Sequence, residues 1–184
     1  MRKQIIYLIV INSFFVFAIN MFAPLYAAYV QNIDNAVINV GGIWSFYIFG
    51  VGIFTYFVSK SENRLKYADS LVIGFLFRIV GWTGYIFSYS VLHLYLIQVF
   101  LALGEAFGSP SYNSLFSTHL EKGKFTRAWG LGISINSIVT GIASFIGSLI
   151  VVIAGFKTLF IIMIGMSLVS TVLALRYRDL MHLK

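Results

Sequence analysis

The stretch QVFLALGEAFGSPSYNSLFSTHLEKGKFTRAWGLGISI, residues 98–135, decides what kind of protein this is. It begins in an apolar run and places a carboxylate at Glu105, with Gly108 and Pro110 close behind. It then breaks into a basic loop at Lys122, Lys124 and Arg127 before the apolar run resumes at Ala128. An apolar segment of bilayer-crossing length that ends in a cluster of cations reads as a membrane span leaving the lipid on its positive side.

The rest of the chain repeats that pattern. A soluble protein carries about 25% charged residues; this chain of 184 residues carries 10%, with 59% hydrophobic residues. No Asp, Glu, Lys or Arg occurs from Gln4 to Ile33, Asn35 to Ser59, Ile79 to Gly104 or Ala128 to Phe156. A spanning helix needs about 20 mostly apolar residues. The expected fold is therefore an all-α membrane protein, residues 1–184 forming one domain of six transmembrane helices. Their expected limits are about 5–30, 37–59, 69–88, 92–116, 128–153 and 157–175. Arg2 and Lys3 could open a secretory signal, but a signal's apolar core stops after about 7–15 residues. Here the run continues to about Val30, so it reads as a retained first span. The chain has no cysteine, which excludes disulfides, thiolate metal sites and thiol nucleophiles, and no cofactor or metal is expected.

Cytoplasmic loops of membrane proteins collect Lys and Arg. Arg2 and Lys3, Lys60, Arg64 and Lys66, the 122–127 cluster, and Arg176, Arg178 and Lys184 all fall on one side of the six spans. Of the 13 basic residues only Arg78 and Lys157 do not. The bias predicts a multi-pass protein of the cytoplasmic (inner) membrane with both termini inside. It also accounts for the net charge of +7 without a nucleic-acid partner. So uneven a bias argues against an antiparallel dimer, and the lipid bilayer is the first partner implied.

Residues three, four and seven apart share a helix face. In the fourth span this aligns Gln98, Glu105, Ser109 and Tyr112. In the first span Asn12 and Asn20 fall on one side. In the fifth, Asn136, Ser137, Thr140 and Ser144 form a small polar face interleaved with glycines. Such faces serve either close helix packing or a wet cavity, and both readings stand. The first, fourth and fifth spans are expected to look inward, and the sixth, with LFIIMIGMSLV at 159–169, to face lipid.

Glu105 is different because it is charged. An acid at mid-span costs about 2.5–3.5 kcal/mol on insertion scales and is a functional candidate by default. Arg78 in the third span is its expected partner, since at 1.5 Å per residue both lie about 15 Å from the cytoplasmic ends of their helices. The pair is either a structural tie or a coupling site at which Glu105 exchanges a proton. Pro110 removes an N–H and, with Gly108, is expected to bend or break the helix beside the charge.

Residues 98–135 resemble the fourth helix, basic loop and fifth-helix start of the N-terminal half of a major facilitator superfamily transporter. Gln98 stands at the family's arginine, and Ala102 and Gly104 at its glycines. TYFVSKSENRLK, residues 55–66, is similar to the family's signature loop, with Ser59 at the aspartate and Lys60 and Arg64 at basic positions. The fifth span lacks the Gly-Pro pair of the antiporter signature.

The resemblance implies a major-facilitator-like half, one six-helix bundle, acting as a secondary transporter of a small solute by alternating access. Two copies in a parallel homodimer would rebuild twelve helices. Ser59, Lys60 and Arg64 would form the gating loop, and Asn12, Asn20, Gln98, Ser109, Tyr112 and Asn136 the substrate cavity. Gly41, Gly42, Ser45, Gly52, Ser137, Thr140, Gly141 and Ser144 would line the seam between copies, and protons would couple through Glu105. No phosphate-binding loop is present, so ATP is not the expected driver. An enzyme is not expected either, since His93, His119 and His182 lie in loops or at ends and no Gly-x-Ser-x-Gly elbow occurs. The competing reading is a non-transporting assembly subunit, or a half that pairs with a different chain.

Overall fold

A computed structural model of the chain describes residues 3–60 and 66–178, and every regular element among them is helical. The order is α1 (Lys3–Phe22), a 3-10 turn (Ala23–Leu25), α2 (Tyr26–Ile33), α3 (Val37–Ser59), α4 (Tyr67–Ile86), α5 (Val91–Thr118) and α6 (Phe125–Arg176). Among the described residues, five stretches are long and apolar enough to cross a membrane by length and composition: 4–33, α3, α4, α5 and α6.

Local chemistry explains most boundaries. Pro24 sits in the first turn of the 3-10 segment, where its missing N–H costs nothing, so the first stretch changes helix type there. Asp34 ends α2 and accepts a hydrogen bond from the Ala36 amide at 2.8 Å, a side-chain turn that launches α3. The uncharged turn between α4 and α5 is set by Ser90, whose hydroxyl caps α5 by accepting from the His93 amide at 3.4 Å.

α6 is 52 residues long, but Gly155 inside it has φ 76° and ψ 173°. Contacts with α1 show what happens there. Asn12 Nδ2 donates to Asn136 Oδ1 at 3.4 Å, and Ser144 donates to the Asn20 carbonyl at 3.2 Å. The arm 125–154 therefore climbs alongside α1 in the same direction. Past Gly155, Phe160 packs on Phe22, Ser170 donates to the Ile11 carbonyl, and Tyr177 stacks on Tyr7. The second arm, 156–176, descends. The chain reverses at Gly155, in a conformation that only glycine adopts without cost. Phe15 against Phe75 and Phe22 against Tyr85 set α4 parallel to α1, and Phe46 against Tyr95 sets α3 beside α5.

Two expectations change here. The sixth span was expected to face lipid, yet the arm 156–176 buries Leu159, Phe160, Met163, Ser167, Ser170, Thr171 and Ala174. Ser170 and Thr171 donate to the Ile11 and Ser167 carbonyls, whereas among the described residues the Ser167 hydroxyl is buried without a hydrogen-bond partner. Its opposite face, with Ile161, Leu168 and Val172, stays exposed. Second, α5 runs without a break through Gly108 and Pro110. The proline frees only the Ala106 carbonyl, and packing against α4 holds the helix on both sides of it.

The arm 125–154 meets α1 at Gly147, where an added Cβ would lie 2.7 Å from Met21 Cα. Gly147→Ala should therefore destabilise the folded protein by about 1–3 kcal/mol or more, as overpacking against backbone does. Gly165→Ala, where a Cβ would meet nothing within 4 Å, should be neutral or slightly stabilising. Thermal unfolding in detergent followed by size-exclusion checks the pair, and equal melting temperatures would refute the contact.

Candidate functional site

The site begins with three glycines. A Cβ on Gly74 of α4 would lie 2.7 Å from Gly108 Cα and 2.8 Å from the Gly104 carbonyl of α5. Their absence of side chains lets the two backbones touch. Into that seam falls the side chain of Arg78, and a Cβ on Gly108 would lie 2.7 Å from its Nη1. Arg78 is 4% exposed. Its Nη2 donates to Glu105 Oε2, forming an ion pair between α4 and α5. The guanidinium carbon also sits 4.3 Å over the Phe15 ring of α1, a cation–π contact from a third helix. The Glu105 side chain keeps 29% of its exposure, so the cation is the more enclosed partner.

On the other side of Arg78 a cavity of about 320 Å³ extends toward the end of the bundle that carries the α4–α5 turn. Aromatic groups make most of its wall: Phe22, Tyr26, Trp44, Tyr47, Trp82 and Tyr85. Arg78 and Gln98 are the strongest polar groups on it. Gln98 is 2% exposed and fixed, its Nε2 donating to Tyr85 Oη at 3.0 Å and Tyr26 Oη at 3.3 Å. Glu105 does not line this cavity; it reaches Arg78 from behind.

Of the residues expected in a substrate cavity, Gln98 alone lines this one. Asn12 and Asn136 bond each other between α1 and the first arm of α6. Asn20 turns back to its own helix, donating to the Val16 carbonyl at 2.8 Å. Tyr112 packs its ring on Phe116, and Ser109 is half-buried beside Pro110. In the loop after α3, Ser59 donates to the Tyr56 carbonyl and Lys60 lies 4.3 Å over the Tyr56 ring. Arg64 lies outside the described residues. In the loop after α5, the Lys124 ammonium donates to Glu121 and holds its carboxyl below the usual carboxylate range.

The expected seam residues divide. Gly41, Gly52 and Gly141 face open space, and Ser45 and Ser137 are exposed. Gly42 is used internally against Tyr95 Oη, Ser144 bonds Asn20, and Thr140 is half-buried. The sequence reading missed the aromatic wall. Arg78, Trp82 and Tyr85 stand at i, i+4 and i+7, one face of α4, and that spacing was the available signal.

Comparison with known proteins bears on the fold. The family model described as Major Facilitator Superfamily matches residues 5–182. Among solved structures, the in meso crystal structure of the POT family transporter PepTSo is similar, with a TM-score of 0.79 at 18% identity. The match covers 97% of this chain and 38% of that one, so the chain spans well under half the length of that transporter. No curated protein sequence matches significantly.

The pair should show an asymmetric cost. Glu105→Gln strands a cation that is 4% exposed, whereas Arg78→Gln strands an acid whose side chain keeps 29% of its exposure. Breaking a buried pair from one side costs about 3–5 kcal/mol, so Glu105→Gln should approach that range and Arg78→Gln fall below it. The double variant should recover most of the loss. Melting temperatures of all four proteins test this, and an additive double variant would show that the two charges are not coupled.

Proposed function

The chain belongs to the major facilitator superfamily, and we propose that it is a secondary transporter, moving a small solute across the membrane by alternating access. The observation that carries this reading is the Arg78–Glu105 pair, a charge couple held inside an apolar helical bundle with its cation on the wall of a cavity. Intramembrane ionisable groups of this kind mark substrate and proton pathways. Glu105, partly exposed and opposite its counter-ion, is the group we assign to proton exchange. On this reading α6 crosses twice, its arms separated at Gly155. That gives six crossings with both termini on the cytoplasmic side of the inner membrane, the side the basic loops mark.

A second six-helix unit completes the pathway. We assign that role to another copy of this chain, placed in parallel orientation by the shared charge bias. Two stretches support it: α3 exposes Ile38, Phe49 and Phe57, and the first arm of α6 exposes Ile138 and Phe145. Both carry open glycines, Gly41 and Gly52 on one and Gly141 on the other, at which helices can approach closely. The competing reading is a different partner chain, with this unit as an accessory subunit.

Native mass spectrometry from lipid nanodiscs should give twice the 20.7 kDa of the chain. A monomer would overturn the homodimer. For topology, the natural absence of cysteine is convenient. A single cysteine at Gly123 should react with an impermeant maleimide only from the cytoplasmic side, and one at Tyr89 only from the opposite side.

A further inference from the structure

The cavity wall has an imbalance that the pair alone does not resolve. A guanidinium carries five N–H donors and accepts nothing. Among the described residues, Arg78 has one hydrogen-bond acceptor, Glu105, although its side chain is 95% withdrawn from solvent. A donor without an acceptor is costly once sealed from solvent, and the remaining Arg78 donors are not sealed, since among the described residues only the Ser167 hydroxyl is both buried and unpartnered. The side of the bundle that has room for an acceptor is the cavity, since Gly104 presses against the stem of the side chain and Gly108 against Nη1 of the guanidinium.

Arg78 is also the single charged residue on the cavity lining, where Gln98 is already engaged by Tyr26 and Tyr85. Beside aliphatic groups such as Ile19 and Leu101, six flat rings from α1, α2, α3 and α4 line the cavity, and these suit offset or edge-on stacking of another ring. A volume of about 320 Å³ accommodates a small molecule of one or two rings.

We propose that this cavity binds an aromatic monocarboxylate, its ring among Trp44, Tyr47 and Trp82 and its anion on Arg78, in competition with Glu105 for the guanidinium. The inference deepens the transporter reading and rests on it for the use made of the site. Occupancy itself needs no flux, no gradient and no second copy. The competition follows from the arrangement: Glu105 holds Arg78 from behind the wall, and a ligand anion approaches from the front. While Glu105 holds the cation, the apparent affinity for a competing anion is reduced by the fraction of Arg78 that is free.

The test uses the purified chain in phosphatidylcholine nanodiscs, with 3-phenylpropionate as probe and 3-phenylpropan-1-ol as its uncharged counterpart. Quenching of Trp44 and Trp82 fluorescence reports occupancy, with a Trp44→Phe/Trp82→Phe variant to locate the signal. The acid should bind saturably and at least about tenfold more tightly than the alcohol, a difference of one charge-assisted contact. Glu105→Gln should bind the acid more tightly than wild type and recover thermal stability on adding it, because the ligand replaces the missing anion. In Arg78→Gln/Glu105→Gln the acid should fall to the level of the alcohol.

Equal binding of acid and alcohol would overturn the proposal, as would weaker acid binding by Glu105→Gln or full acid binding by the double variant. Decanoate matching the aromatic acid would overturn the aromatic half, making the cavity a site for acyl chains. An absence of any binding would overturn it entirely, while leaving transport of some other solute to be judged by the nanodisc mass and by flux.

Discussion

One buried cation organises this bundle. Arg78 is 4% exposed in a chain with very few charges, and a guanidinium in an apolar interior is tolerated only when paired and hydrogen-bonded. Glu105 supplies the counter-charge, but only if α4 and α5 come close enough for the two side chains to meet. Gly74, Gly104 and Gly108 provide that approach, and each would clash with α4, α5 or Arg78 itself if it carried a Cβ. The Phe15 ring beneath the guanidinium brings α1 into the same arrangement. A single charge thus fixes the spacing of two helices and the rotation of a third.

Those constraints shape the cavity. With α4 locked by Arg78, the residues one and two turns farther along the same face, Trp82 and Tyr85, are aimed at a common space. Gln98 stands one helical register away on α5 and anchors Tyr26 and Tyr85, so the wall is held by hydrogen bonds at one end and by the ion pair at the other. Its polarity is therefore concentrated at two points, with flat apolar surface between them.

The sequence exposed this framework unevenly. Gaps between charges located the long apolar helices α3, α4 and α5 to within a few residues, because a lipid environment leaves a compositional mark. α3 runs over the expected 37–59, and Gly155 falls between the limits expected for the last two spans. The depth argument brought Arg78 and Glu105 together because helical rise converts sequence position directly into distance. What failed was the inference from polarity to direction. In lipid, an apolar helix can face either the bilayer or its neighbours, so LFIIMIGMSLV gave no sign that one side of it is buried against α1 and α4. The asparagines of α1 failed for the related reason that a polar side chain can satisfy itself on its own backbone, as Asn20 does. Aromatic residues, abundant throughout the chain, offered no contrast from which to pick the six that line the cavity.

The uneven burial of the helices bears on what the bundle is for. α1, α4 and the second arm of α6 pack against one another, while α3 and the first arm of α6 leave Phe49, Phe57, Ile138 and Phe145 open. Lipid would solvate those side chains well, so exposure alone implies no partner. The glycines are more telling. A glycine in a helix costs about 1 kcal/mol against alanine and is kept where something must come close. Gly74, Gly104 and Gly147 meet that condition inside the unit, whereas Gly41, Gly52 and Gly141, like Gly130 and Gly165, meet nothing within 4 Å. Their cost has no return within this bundle. A helix from a second unit, seated on the same two stretches, would give them one.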